Sequence, residues 1–473
     1  MFESNTDVGT VKLPGSTTYD AEQQTYAIAG GGANIWGDHD DFHFVWKRMS
    51  GNFIVSTRAD FAGTGVEPHR KLGWMVRASL DTGSANVSAG VHGDGLTSVQ
   101  LRRSTRAPTE EVRSSVVGAD VIQLERKGNT YIMSVARSGE MAVVDSVADI
   151  HLGDEVYVGL YVCSHNDDVI EHAEFRNVRI VVPAGDDLVP YRDYLGCHLE
   201  LLDIETGNRR IVYSSREPFE APNWTPDGAA LIYNSRGRLY RFDLTRKTPE
   251  VIDTGFATRN NNDHVLSFDG TMIAISHHSQ EDEGAAIVYI LPVQGGQPKR
   301  ITSHGPSYMH GWSPDGRLLV YTGQRSGEFH IYRIPVEGGE ETQLTSGLSM
   351  DDGPEYTPDG RYIYFNSTRS GTMQIWRMQP DGSRQEQLTD DDYNNWFPHV
   401  SPDGRAIVYI TFPKEVEPSK HPYYQHVYLQ VMPAGGGPSR VVASLYGGQG
   451  TINVPSWAPD SRRLAFVSNT VMR

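Results

Sequence analysis

The chain has 473 residues, 38% of them hydrophobic and 10% aromatic, with 48 glycines and a formal net charge of −17. That length predicts about two to three domains rather than one core. The charge argues against a nucleic-acid partner, since no basic stripe is present to displace counterions from phosphates, and no run approaches the roughly 18 apolar residues of a membrane span. Two cysteines, Cys163 and Cys197, are too few for a disulfide framework. The start, Met1-Phe2-Glu3-Ser4-Asn5, carries no charged segment followed by an apolar one. A cytoplasmic location is therefore favoured, the alternative being a periplasmic or secreted protein whose export signal was trimmed. Nothing in the sequence fixes an oligomeric state.

Residues 1–183 show strand-like alternation, as in Asp41-Phe42-His43-Phe44-Val45-Trp46-Lys47 and Val156-Tyr157-Val158-Gly159-Leu160-Tyr161-Val162-Cys163. Short strands between Gly, Asp, Asn and Ser clusters predict an antiparallel β-sandwich. Over roughly residues 40–182, the order Lys71-Leu72-Gly73-Trp74-Met75-Val76-Arg77, then Gly159-Leu160-Tyr161-Val162-Cys163-Ser164-His165, then Ala173-Glu174-Phe175-Arg176-Asn177-Val178 resembles the concanavalin-A-like jelly roll of lectins and glucanases. That resemblance implies a concave face, where 61–70 and His92-Gly93-Asp94-Gly95 would supply contacts. No Glu-x-Asp-x-x-Glu run is present, so no catalysis is expected there. Residues 184–189, beginning Ala184-Gly185-Asp186-Asp187, read as the linker.

From 190 to 473 an apolar strand runs six times into an Asp turn and out into another strand. The turns are centred on Asp227, Asp269, Asp315, Asp359, Asp403 and Asp460, at intervals of 42, 46, 44, 44 and 57 residues. A period near 40–45 residues with four short strands per unit is that of a β-propeller blade. Only one strand follows Asp460, so the last blade lacks two. The orphan hairpin within 198–213 has the length to supply them, giving six blades and removing an open edge. With its Pro-Asp-Gly turns, this stretch resembles the TolB-type propeller, a relative of WD40 propellers. The expected fold class is therefore all-β, a jelly-roll sandwich at 1–183 followed by a six-bladed propeller closed by 198–213.

Strands alternate direction, so the Asp-Gly turns share one face and the loops entering each innermost strand share the other. On the second face the repeat becomes chemically varied: carboxamides, carboxylates, imidazoles and aromatics gather where a solubility surface would need only scattered Lys and Glu. A polar site for a hydroxyl-rich ligand follows. The residues assigned to catalysis are His264, His310, Asp352, Glu355 and His399. Those assigned to substrate are Asn262, Asp263, Arg325, Arg369, Asn395, Trp396, Gln449 and Asn453, with Tyr308, Phe397 and Tyr423 among the aromatics offering stacking faces. The insertion 412–424 in the fifth blade would act as a flap.

His264, His310 and His399 could share a divalent metal, Mn or Ca, or could instead hydrogen-bond a neighbouring blade or a sugar. Oligogalacturonate lyases resemble TolB-type propellers with a histidine-ligated metal at the channel mouth, which implies the metal reading. The favoured function is a carbohydrate-active protein, a lyase or glycoside hydrolase acting on an oligosaccharide or polysaccharide fragment. The alternative is a non-catalytic propeller that binds glycan or partner proteins. His310→Ala and Asp352→Asn are expected to abolish binding at small cost in stability, as for exposed loop positions.

Overall fold

A computed structural model describes every residue except Ala148 and Arg473. It divides into two compact units, Met1–Pro183 and Ala184–Arg473. Among the described residues the regular structure is all β-strand, and no helix is long and apolar enough to cross a membrane.

The first unit contains two seven-stranded antiparallel sheets and a two-stranded ribbon. One sheet runs in the order Ser4–Val8, Phe42–Ser50, Glu155–Cys163, Lys71–Arg77, Asn86–His92, Thr97–Arg102, Glu110–Arg113. The other runs Val143–Val147, Thr130–Ala136, Val121–Lys127, Phe53–Phe61, Glu171–Val181, Thr25–Gly30, Ser16–Asp20. Alternation puts Trp74, Val76, Val87 and Leu160 of the first sheet against Val55, Leu124, Met133 and Phe175 of the second, in one buried core. Asp40 sits inside this unit between Arg77 and Arg102, at 2.7 Å from each guanidinium. One carboxylate thus bridges two guanidiniums where no water reaches, and backbone carbonyls of Ser79, Asp81 and Ser84 accept from further guanidinium donors.

The second unit is a six-bladed propeller. Five blades are four-stranded antiparallel sheets, with innermost strands Glu220–Trp224, Asn260–Leu266, Ser307–Trp312, Asp351–Tyr356 and Asn394–Val400. The turn chemistry explains the period. Hydroxyls of Thr225, Ser267, Ser313, Thr357 and Ser401 donate to the turn carboxylates of Asp227, Asp269, Asp315, Asp359 and Asp403 at 2.6–2.7 Å. The glycine after each Asp takes a φ of 68 to 72°, a left-handed conformation that a Cβ disfavours.

The sixth blade is assembled from both ends of the unit. Gly196–Asp203 pairs antiparallel with Arg463–Thr470 on one side and with Arg209–Ser215 on the other. Its innermost position is reduced to a single bridge between Trp457 and Leu464. Leu199 and Leu201 pack with Trp224, Ala465 and Val467 in one apolar cluster, so blade six is welded to blade one. Cys163 and Cys197 are both free and buried.

Candidate functional site

The propeller face opposite the Asp turns holds a cavity of about 590 Å³. Five of the six blades send into it residues at or just before the start of their innermost strand, and one rule finds them. Seven residues before the turn Asp stand Glu220, Asn262, Tyr308, Asp352, Trp396 and Asn453; all but Trp396 line the cavity. The innermost strands bulge between this position and the turn, as between Glu220 and Asn223 and between Asp352 and Glu355. The bulge turns the entry residues toward the funnel independently of those below them.

The titratable groups of this cavity are driven to different protonation states. Burial pushes Glu220 up to about 7, and the neighbouring Asp263 adds to the shift. Tyr423, donating to its Oε1 at 3.0 Å, and the Asn262 amide pull the other way. Asn262 Nδ2 nonetheless makes no full hydrogen bond, so its hold on Glu220 is weaker than that of Tyr423. Burial likewise raises Asp263 to about 6, with Asp352 adding to the rise and His310 opposing it. Asn261 Nδ2 donates to the Asp263 carboxylate, and Asn261 Oδ1 accepts from the Asp263 backbone N–H.

Asp352 behaves oppositely. Burial would raise it, but His310 Nε2 at 3.2 Å and the Thr322 hydroxyl at 2.7 Å hold it below the ordinary carboxylate range. His310 is raised in turn, since Asp263, Asp352 and Glu355 together outweigh its burial. The pocket therefore sets a His310–Asp352 pair shifted toward its charged forms beside two carboxyls able to carry a proton near neutrality, a division that acid–base chemistry uses.

Aromatic walls enclose the site. Tyr423 packs edge-on against Tyr191 at 5.3 Å and Tyr194 at 5.9 Å, and Tyr191 donates to Gln449 at 3.0 Å. Phe397 stacks on His310 at 6.0 Å. His421, from the 412–424 insertion, sits edge-on to Trp396 at 4.4 Å. Burial lowers its pKa, and its Nδ1 has no partner.

Of the residues singled out from sequence, Asn262, Asp263, His310, Asp352, Gln449 and Asn453 line the cavity together. The others lie elsewhere. His264 is fully buried beneath it, with Nε2 on the Ile232 carbonyl at 3.2 Å and its pKa pushed down to about 4 by burial. His399 is wedged between Glu355, at 2.7 Å, and the Ile452 carbonyl. It stands four residues before its turn Asp where His264 and His310 stand five before theirs, so the three are not at matched positions. Glu355 also accepts from the Val400 backbone at 2.9 Å, which ties blade four to blade five.

Arg325 is held by Glu341 at 2.6 Å, and Arg369 by Asp351 at 2.9 Å; neither reaches the cavity. Asn395 is spent on Asp391, Gln374 and Thr411, and Trp396 is core. The three histidines therefore do not share a metal. Among the described residues, the one compact group of metal-ligating side chains is His69, His92 and Asp94, in the other unit. Sequence reading missed Glu220, Tyr191, Tyr194 and His421; the seven-residue offset would have found Glu220. His310 and Asp352 are also buried on strands rather than exposed in loops, so removing either leaves a buried partner unsatisfied, at roughly 1–3 kcal/mol.

Fold and cavity together define a six-bladed propeller with a polar pocket on the face away from its turns. A TolB beta propeller domain matches residues 309–420. An uncharacterized protein of Agrobacterium fabrum is 47% identical over 270 residues, covering 57% of this chain and 91% of that one. A solved structure described as putative TolB from Agrobacterium tumefaciens shares 45% identity at a TM-score of 0.57, covering 59% of this chain and 100% of that one. Through its propeller the chain belongs to the TolB-like β-propeller family. The Tol-Pal system protein TolB of Bordetella pertussis is 29% identical over 146 residues, and the chain spans only 33% of that protein. Oligogalacturonate lyases align at TM-scores of 0.36 and 0.39 with 13% and 11% identity, too little to carry an argument about lysis or metal.

Proposed function

We propose that the propeller cavity binds a small hydroxyl-rich ligand of carbohydrate type and performs acid–base chemistry on it. The observation that carries this is the gathering of Glu220, Asp263, His310 and Asp352 in one pocket, with proton affinities shifted in opposite directions. A purely structural network would favour neutral, mutually satisfied groups, whereas here two carboxyls near neutrality face a cavity with unpartnered amide and imidazole nitrogens. Asn262, Gln449 and Asn453 would orient hydroxyls, and Tyr308 and Phe397 would present ring faces. Glu220 or Asp263 would exchange the proton, and His310, fixed by Asp352, would stabilise developing negative charge. The chemistry needs no metal at His264 or His399. For the first unit, kinship with concanavalin-A-like sandwiches fits its pair of seven-stranded sheets, and a glycan-recognition role would complement the propeller.

Calorimetric titration with a panel of neutral and uronate-containing oligosaccharides is the test. Binding in the wild type that falls at least tenfold in Asp352→Asn, with the folded state retained, supports the reading. Absence of binding across the panel, or binding untouched by Asp352→Asn, refutes it.

A second reading has its own observation. On the turn face the channel opens through an apolar cavity of about 240 Å³ lined by Trp224, Phe268, Trp312 and Trp457, with Phe268 44% exposed. An exposed apolar mouth suits a protein partner, and one relative is named as a Tol-Pal system component. In that case the cell envelope, rather than the cytoplasm, would be the site of action.

A further inference from the structure

We propose that His69, His92 and Asp94 of the first unit form a site for a divalent transition ion, Zn²⁺ in particular. One ligating atom from each lies within 4.8 Å of the others. Asp94 Oδ2 is 3.7 Å from His69 Nδ1, close to the roughly 3.4 Å edge of a tetrahedron built on bonds of about 2.1 Å. Two imidazoles and one carboxylate are a donor set that zinc accepts, with a further position open to water.

The backbone holds the three in place. His92 ends Asn86–His92 and pairs in register with Lys71, the first residue of the neighbouring strand. Gly93 donates to the Arg70 carbonyl and Asp94 to the Pro68 carbonyl, each at 2.8 Å. The loop carrying His69 is thereby pinned to the turn carrying Asp94. Leu96 N–H donates to Asp94 Oδ1 at 3.0 Å, leaving Oδ2 for the ion.

The buried member has one ring nitrogen without a partner. His92 is 6% exposed, and its Nδ1 makes no hydrogen bond. Its Nε2 lies 3.3 Å from the Gln100 amide, whose Oε1 is also unpartnered. The same Gln100 Nε2 donates to Glu111 Oε1 at 3.0 Å, and Nδ1 is the His92 nitrogen left without a hydrogen bond. His165, edge-on to His69 at 5.6 Å with its own Nδ1 unpartnered, flanks the open side. His69 and Asp94 are exposed, which gives an ion a path in.

The site is separate from the propeller cavity, and the inference is independent of the function proposed there. The untagged full chain, stripped with chelator, is titrated with zinc chloride by calorimetry, and bound metal is counted by elemental analysis. The expected result is one zinc per chain, bound at least 100-fold more weakly by His69→Ala and by Asp94→Asn. Both side chains are exposed, so neither change should shift the metal-free unfolding temperature. Zinc should raise that temperature in the wild type and leave the variants unmoved. Failure of the wild type to take up one equivalent, or uptake unaltered in both variants, overturns the assignment.

Discussion

Deleting residues 196–215 is expected to abolish folding of the propeller, although the segment contributes nothing to the cavity. It removes the two strands that complete blade six. That exposes the ladder edge of Arg463–Thr470 and empties the positions of Leu199 and Leu201 beside Trp224 and Val467. Each lost leucine alone costs about 2–5 kcal/mol, against a total stability of roughly 5–15 kcal/mol. A bare strand edge also templates association. Size exclusion and circular dichroism should show aggregated material that has lost the propeller's unfolding transition. Moving 196–215 to follow residue 472 should restore the fold, because Thr470 lies opposite Gly196 and only Val471 and Met472 then connect one strand to the next. A soluble monomer from the deletion alone, unfolding as cooperatively as the wild type, would show that the ring does not depend on this closure.

The propeller was legible because its turn chemistry is local. A Ser or Thr hydroxyl bonding an Asp two residues on, followed by a positive-φ glycine, repeats in five of the six blades. The face that bears the cavity was legible for the same reason, since strand alternation follows once the turns are placed. Individual side chains were harder, because each innermost strand bulges and the bulge breaks the period-two rule. His399 shows the cost. One residue out of step with His310, it faces Glu355 and a carbonyl instead of the funnel. Arg325 and Arg369 were drawn off by acidic partners, Glu341 and Asp351, that no spacing announced. Tyr191 and Tyr194 come from the segment before the closing strands, outside any repeat, so only the folded chain brings them to Tyr423.

Replacing Glu220 with Gln is expected to remove acid–base function and to make the propeller more stable at alkaline pH. The two effects have one cause. In the unfolded chain this carboxyl ionises near its ordinary value of 4.5, whereas in the folded cavity burial holds its proton until about pH 7. Below 4.5 it is protonated in both states and costs nothing. Between 4.5 and 7 the unfolded state binds fewer protons, so stability falls as pH rises, and above 7 the loss is complete. The span of 4.5 to 7 corresponds to an upper limit of about 3 kcal/mol; water in the cavity, which Glu220 partly touches, reduces it. Gln keeps the shape and can still accept from Tyr423, but it cannot ionise. Denaturant unfolding at pH 5 and pH 8 should therefore find Glu220→Gln close to wild type at the lower pH and more stable by about 1–3 kcal/mol at the higher. Any turnover of a bound sugar should fall about 10²–10⁴-fold, the usual contribution of a general acid or base. A variant whose stability tracks the wild type across both pH values would mean that Glu220 ionises as freely in the cavity as in water. The proton would then have to be handled by Asp263, for which Asp263→Asn is the corresponding test.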